Sequence, residues 1–150
     1  MVGIVIASHG VFCEGLKSST EMIGGTIAQC TAVALQPGED PDAYGERLCK
    51  AVDQMDDGHG VLMLIDLRGG TPFNRSIMLT REKHIMLTVG ANLPMLLSVA
   101  LGRHEDSTLE ELAALAEKEA KEVSVPFVLT DNKKGAVLWK IYYWFALTTD

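Results

Sequence analysis

Short apolar runs alternate with helically spaced segments four times along this chain. Val2 to Ala7 is continuously apolar, and the segment after it repeats Phe12, Leu16, Ser19 and Ile23 before stopping at Gly24-Gly25. Ile27 to Leu35 reads as a second strand. Asp40-Pro41 has the form of an N-cap and first helical position, followed by Tyr44, Leu48, Val52 and Met55 at helical spacing. Val61 to Ile65 is apolar at every position, as in a central strand covered on both faces. Thr71-Pro72 predicts an N-cap and helix start, Ile85 to Val89 a fourth strand, and a short helix begins near Pro94. In "STLEELAALAEKEAKE", Ser107 and Glu110 have capping-box spacing ahead of the last regular helix.

The alternation predicts an α/β fold: a doubly wound, mostly parallel sheet of order 2-1-3-4 with helices on both faces. With 150 residues and 47% hydrophobic content, one core is expected rather than two. Residues 1–130 are read as the domain, closing with an antiparallel C-terminal strand, and residues 131–150 as an aromatic tail packed on the domain or on a dimer. Ala136 to Leu147 is shorter than the roughly 20 residues that span a bilayer, and its spacing suits an amphipathic helix or a strand.

Charge and cysteine content narrow the chemistry. A net charge of −7 without a basic cluster disfavours nucleic acid as a partner. Cys13, Cys30 and Cys49 lack zinc-ligand spacing and are expected to be reduced core thiols. The first residues show neither a cationic leader nor a cleavage site, so a cytoplasmic location is expected.

Two strands end on chemically capable side chains. "GIVIASHGVF" delivers His9 to a turn, and "VLMLIDLRGGTPFN" delivers Asp66. Strands one and three are neighbours in a 2-1-3-4 sheet, so both groups fall at the crevice beyond the strand carboxyl ends. A carboxylate bonded to one ring nitrogen fixes the tautomer and leaves the other nitrogen outward as a nucleophile. An ordinary imidazole, with a pKa of about 6.5, is already mostly neutral at pH 7. In "RGGTPFN", Gly69 and Gly70 permit close backbone approach, Thr71 offers a hydroxyl, and Pro72 opens a helix whose first amides face outward. A helix N-terminus gives an exposed anion only about 0.3–1 kcal/mol, so hydroxyl and loop amides must share the task. Arg68 reads as a solvated loop residue that could also reach phosphate. His59, His84 and His104 read as surface or boundary residues, and Met63, Met78 and Met86 as core filler.

The stretches "IVIASHG", "GVLMLIDLRGGTPFN" and "VGANLPMLLSVA", with "LQPGEDPDAY" between them, resemble the mannose-type (mannose, fructose, sorbose) IIA domain of the bacterial sugar phosphotransferase system over about residues 1–122. The resemblance implies that His9 accepts a phosphoryl group from the histidine-containing phosphocarrier protein and passes it to a IIB component. It further implies that Asp66 orients His9, that Thr71 contacts the phosphoryl group, and that Gly69, Gly70, Pro72, Phe73 and Asn74 form the loop. Phe12, Phe73 and Arg68 are candidates for partner docking. No cofactor, metal or nucleotide is implied, membrane contact is only indirect through the transporter subunits, and the resemblance implies a homodimer in which a C-terminal strand, Val125 to Leu129 here, can join the partner's sheet.

Three rival readings differ in chemistry. A phosphotransferase subunit of dihydroxyacetone kinase also carries a histidine after strand one, but "GGTPFN" favours the sugar system. A tetrapyrrole chelatase needs a second ligand facing His9, and no other histidine ends a strand. A flavodoxin-like binding module would use "RGGT" for a cofactor phosphate. The aromatic run "KKGAVLWKIYYWFALTTD" has no counterpart in the resemblance.

Overall fold

The computed structural model describes residues 1–122. Strands β1 (Gly3–His9), β2 (Cys30–Leu35), β3 (Val61–Ile65) and β4 (Ile85–Val89) form a parallel sheet of order β2-β1-β3-β4. Five helices connect and flank them: α1 (Phe12–Gly24), α2 (Pro41–Met55), α3 (Thr71–Leu79), α4 (Leu93–Gly102) and α5 (Leu109–Glu122). The expected fold class and strand order are those observed. Val125 to Leu129 and the aromatic tail lie outside the described residues.

Because side chains alternate across a strand, one unbroken apolar run serves two cores. Ile4, Ile6, Leu62 and Leu64 pack with Leu16, Met95, Leu96 and Val99 beneath α1, α4 and α5. Val5, Ala7, Met63 and Ile65 face the other way, against Tyr44, Leu48 and Val52 of α2. Each such side chain stabilises the fold by about 1.5–3 kcal/mol when fully buried. Tyr44 is fully buried because its hydroxyl donates to the Val33 carbonyl at 3.0 Å.

Of the expected helix caps, the one at Asp40 is observed at its expected position. Asp40 caps α2 by accepting from the amides of Asp42 and Ala43, both at 3.0 Å. Three expectations need correction. The buried stripe of α1 is Cys13, Leu16 and Thr20, while Phe12 and Ile23 are exposed, so the predicted face is rotated by about one residue. The capping box lies one residue later than expected: Thr108 Oγ1 accepts from the Glu111 amide at 3.2 Å, and Glu111 Oε2 accepts from the Thr108 amide at 3.0 Å. Ser107 instead accepts from the His104 amide at 2.9 Å. Met78 is exposed rather than core, whereas Met63 is buried.

Of the thiols, Cys13 is buried and Cys30 and Cys49 are half-buried; none is in a disulfide. Beside Cys30 lies Arg103, which is buried and donates to the carbonyls of Val2 and Ala28, tying β1 to the loop before β2. Among the described residues no helix is long and apolar enough to cross a membrane.

Burial pushes the Cys30 thiol up to about 11, with Lys17 and Arg103 pulling the other way. The folded state therefore holds this proton more tightly than the unfolded chain, so its contribution to stability is present below the ordinary thiol pKa and lost as pH rises through about 11. Iodoacetamide labelling followed on the Cys30 peptide is expected to be slow at pH 8 and to rise about tenfold per pH unit until the thiol ionises. Rapid labelling at pH 8 with no further rise would contradict the burial argument.

Candidate active site

Register determines what meets at the carboxyl end of the sheet. Ala7 pairs with Ile65 across β1 and β3, so the next residues on each strand emerge side by side. The Asp66 amide donates to the Ala7 carbonyl at 3.2 Å, extending the pairing by one step. His9, the last residue of β1, is opposite Leu35 on the other neighbour, and the Gly10 amide donates to the Leu35 carbonyl at 2.8 Å. Gly10 has φ +54, a left-handed turn that glycine adopts without strain.

Asp66 Oδ2 accepts twice from His9, from its backbone amide at 2.8 Å and from ring Nδ1 at 2.9 Å. Oδ1 accepts from the Leu67 amide at 2.7 Å, so the carboxylate is itself oriented. An ionised carboxylate only accepts, which assigns the proton to Nδ1 and the lone pair to Nε2. The His9 side chain is 44% exposed, whereas that of Asp66 is 17% exposed. The ring is partly open to solvent while the carboxylate that holds it is sheltered.

Gly70 bounds the other side of the ring. A β-carbon built on Gly70 would stand 2.3 Å from His9 Cε1 and 2.6 Å from Nε2, distances no side chain tolerates. The Nε2 edge therefore packs against bare backbone at the N-terminus of α3. Gly70, with ψ 174, is the residue before α3, and Thr71 and Pro72 are its first two positions. The expected N-cap is thus shifted back by one, leaving the Thr71 hydroxyl without a capping bond. Gly69 has φ +87 and its carbonyl accepts from Asn74 Nδ2 at 3.2 Å; the Gly70 carbonyl accepts from the Asn74 amide at 2.9 Å. Asn74 thereby pins the loop that carries both glycines.

The remaining candidates separate. Arg68 is exposed on the loop. Phe12, with Val11 and Leu67, is an exposed apolar side chain on the segments flanking the site. Phe73 is half-buried and packs partly against the Tyr44 and Leu48 core. Among the described residues no group of His, Cys, Asp and Glu could hold a metal ion. His59, His84 and His104 are exposed, and His59 and His84 precede the amino ends of β3 and β4, opposite the carboxyl ends that carry the site.

A family model described as "PTS system fructose IIA component" matches residues 3–117. The chain belongs to this IIA family of the sugar phosphotransferase system. Within the family, a fructose-specific EIIA component of Bacillus subtilis is 35% identical over 113 residues, covering 75% of this chain and 77% of that protein. The mannose-specific EIIAB component of Escherichia coli is 33% identical over 122 residues, and the matched part is 81% of this chain but 38% of that protein. Among solved IIA structures, the mannose/sorbose-specific subunit of Enterococcus faecalis superposes with a TM-score of 0.79 at 26% identity, covering 87% of this chain and 98% of that one. An EIIA component from Streptococcus agalactiae gives 0.77 at 32% identity, covering 84% and 97%.

Sequence reasoning read Gly70 as room for phosphate and overlooked that the imidazole itself occupies the space. Ser8 was also overlooked; the signal was a lone hydroxyl closing an otherwise apolar strand. Gly70→Ala is expected to preserve the fold but displace the ring or the start of α3. Carbethoxylation of His9 by diethylpyrocarbonate, read by peptide mass spectrometry, should then change by about tenfold, the equivalent of about 1.4 kcal/mol. An unchanged rate would mean that the ring is not confined by this backbone.

Proposed function

We propose that His9 carries the phosphoryl group, receiving it from the histidine-containing phosphocarrier protein and delivering it to a IIB component during sugar uptake. The observation that supports this most is the 2.9 Å bond from His9 Nδ1 to Asp66, which leaves Nε2 free at the N-terminus of α3. The Nε2 lone pair attacks phosphorus, the phosphorus–nitrogen bond to the donor's imidazole breaks, and its electron pair returns to that ring. His9 keeps its Nδ1 proton and becomes an imidazolium, which the Asp66 carboxylate stabilises. Delivery to IIB is the same step in reverse order.

Such transfer has a loose, in-line transition state in which positioning and electrostatics provide most of the rate. Thr71, Gly70 and Gly69 supply the hydroxyl and amides nearest the incoming group. Exposed Phe12, Val11 and Leu67 offer an apolar docking rim, with Arg68 as a polar contact. The reaction needs no metal or cofactor of its own. We further propose a cytoplasmic location and a homodimer, with residues 1–130 as the phosphocarrier domain.

Incubation with phosphoenolpyruvate and the two general phosphotransferase proteins should give one acid-labile, base-stable phosphoryl adduct. His9→Ala should abolish it. Asp66→Ala should leave the circular dichroism spectrum intact and slow labelling by about 10²-fold or more, the scale of losing an orienting group in transfer chemistry. Persistent labelling of His9→Ala would exclude the proposal.

A further inference from the structure

The imidazole is held on one side by Asp66, and the backbone that bears it is held on the other by a residue with no role assigned above. We infer that Ser8 is a positioning residue for His9. Ser8 is only 1% exposed, a buried polar group inside a strand end that is otherwise apolar. Its hydroxyl satisfies both of its functions. It donates to the Gly10 carbonyl at 3.0 Å and accepts from the Cys13 amide at 2.8 Å.

Both partners follow His9 in the chain, so Ser8 and its acceptor Gly10 flank His9 directly. The bond to Gly10 closes a loop over the single residue between, fixing the peptide planes before and after His9 and hence its Cα–Cβ direction. The bond to Cys13 reaches the second residue of α1, whose own N-cap position, Val11, supplies no side-chain acceptor. Ser8 therefore caps the helix from within the preceding strand. One hydroxyl ties β1, the turn and α1 together.

An exposed ring cannot be aimed by packing alone. Asp66 sets the rotation of the imidazole, but the distance from Nδ1 to Oδ2 holds only if the backbone presents the ring at that height. Deleting the Ser8 hydroxyl leaves the buried Cys13 amide and the Gly10 carbonyl without this partner, and the turn relaxes where His9 is attached. A displacement of about 1 Å at a reacting group can reduce transfer by about 10²-fold.

The test compares Ser8→Ala, Ser8→Thr and Ser8→Cys in the full chain by two readouts. The first is nitrogen-15 NMR of the His9 ring, which reports the tautomer and needs no phosphorylation. The second is the rate of phosphoryl transfer from the phosphocarrier protein, which rests on the function proposed above. Ser8→Ala is expected to mix the His9 tautomers and slow transfer by about 10- to 100-fold. Ser8→Thr, which keeps the hydroxyl, should restore one tautomer and a rate within about threefold of the parent. If Ser8→Ala does not fold, the weaker thiol donor of Ser8→Cys should fall between the parent and a mixed tautomer. A single parental tautomer in both Ser8→Ala and Ser8→Cys, or equal loss in Ser8→Thr and Ser8→Ala, would overturn the inference. Failure of every form to accept phosphate, with the tautomer series as expected, would overturn only the function.

Discussion

One oxygen of Asp66 accepts from both the backbone and the ring of His9, and the usefulness of the site depends on that shared bond. The bond exists because β1 and β3 are neighbours in register, with Ala7 beside Ile65. A slip of one residue would turn every side chain of β1 to the opposite face, burying His9 in one of the two cores. The two apolar faces of β1 and β3 therefore protect the active-site geometry as well as the fold. Core packing sets the register, the register sets the pair, and the pair sets the nucleophile.

The competing term is disorder of a ring that water reaches. A hydrogen bond to a charged acceptor is worth about 1.5–3 kcal/mol, less where solvent competes, and ordering a side chain costs up to about 2 kcal/mol. A single bond to a ring so exposed is a narrow margin. The site adds to it by having the same carboxylate hold the His9 amide, by orienting that carboxylate through the Leu67 amide, and by setting the ring against Gly70. With all of these contacts in place the His9 side chain is still 44% exposed. The arrangement trades packing for hydrogen bonds, which suits the proposed carrier role, where the ring must meet a partner in the open.

Much of this was legible in the residues. The continuous apolar runs identified buried parallel strands, and strand order placed His9 and Asp66 together although they are distant along the chain. What escaped depends on distances that periodicity does not encode. The α1 stripe shifted to Cys13, Leu16 and Thr20 because spacing alone does not say which of two adjacent faces meets the sheet. Thr108 took the capping position from Ser107 because both residues have a suitable acid three positions on. Nothing in the spacing singles out Arg103, yet it is buried, with two backbone carbonyls accepting from it. Phe73 packs partly against the Tyr44 core while staying half-exposed, a division that spacing does not encode.

The most direct test is the site of phosphorylation on the ring. Nitrogen-15 and phosphorus-31 NMR of the phosphorylated protein, with labelled histidine, identifies the bonded nitrogen by its coupling to phosphorus. The account predicts coupling at His9 Nε2, with Nδ1 still protonated toward Asp66. Coupling at Nδ1 would mean that the carboxylate does not hold that nitrogen in the working protein, and the geometry described would have to be abandoned as the source of its reactivity.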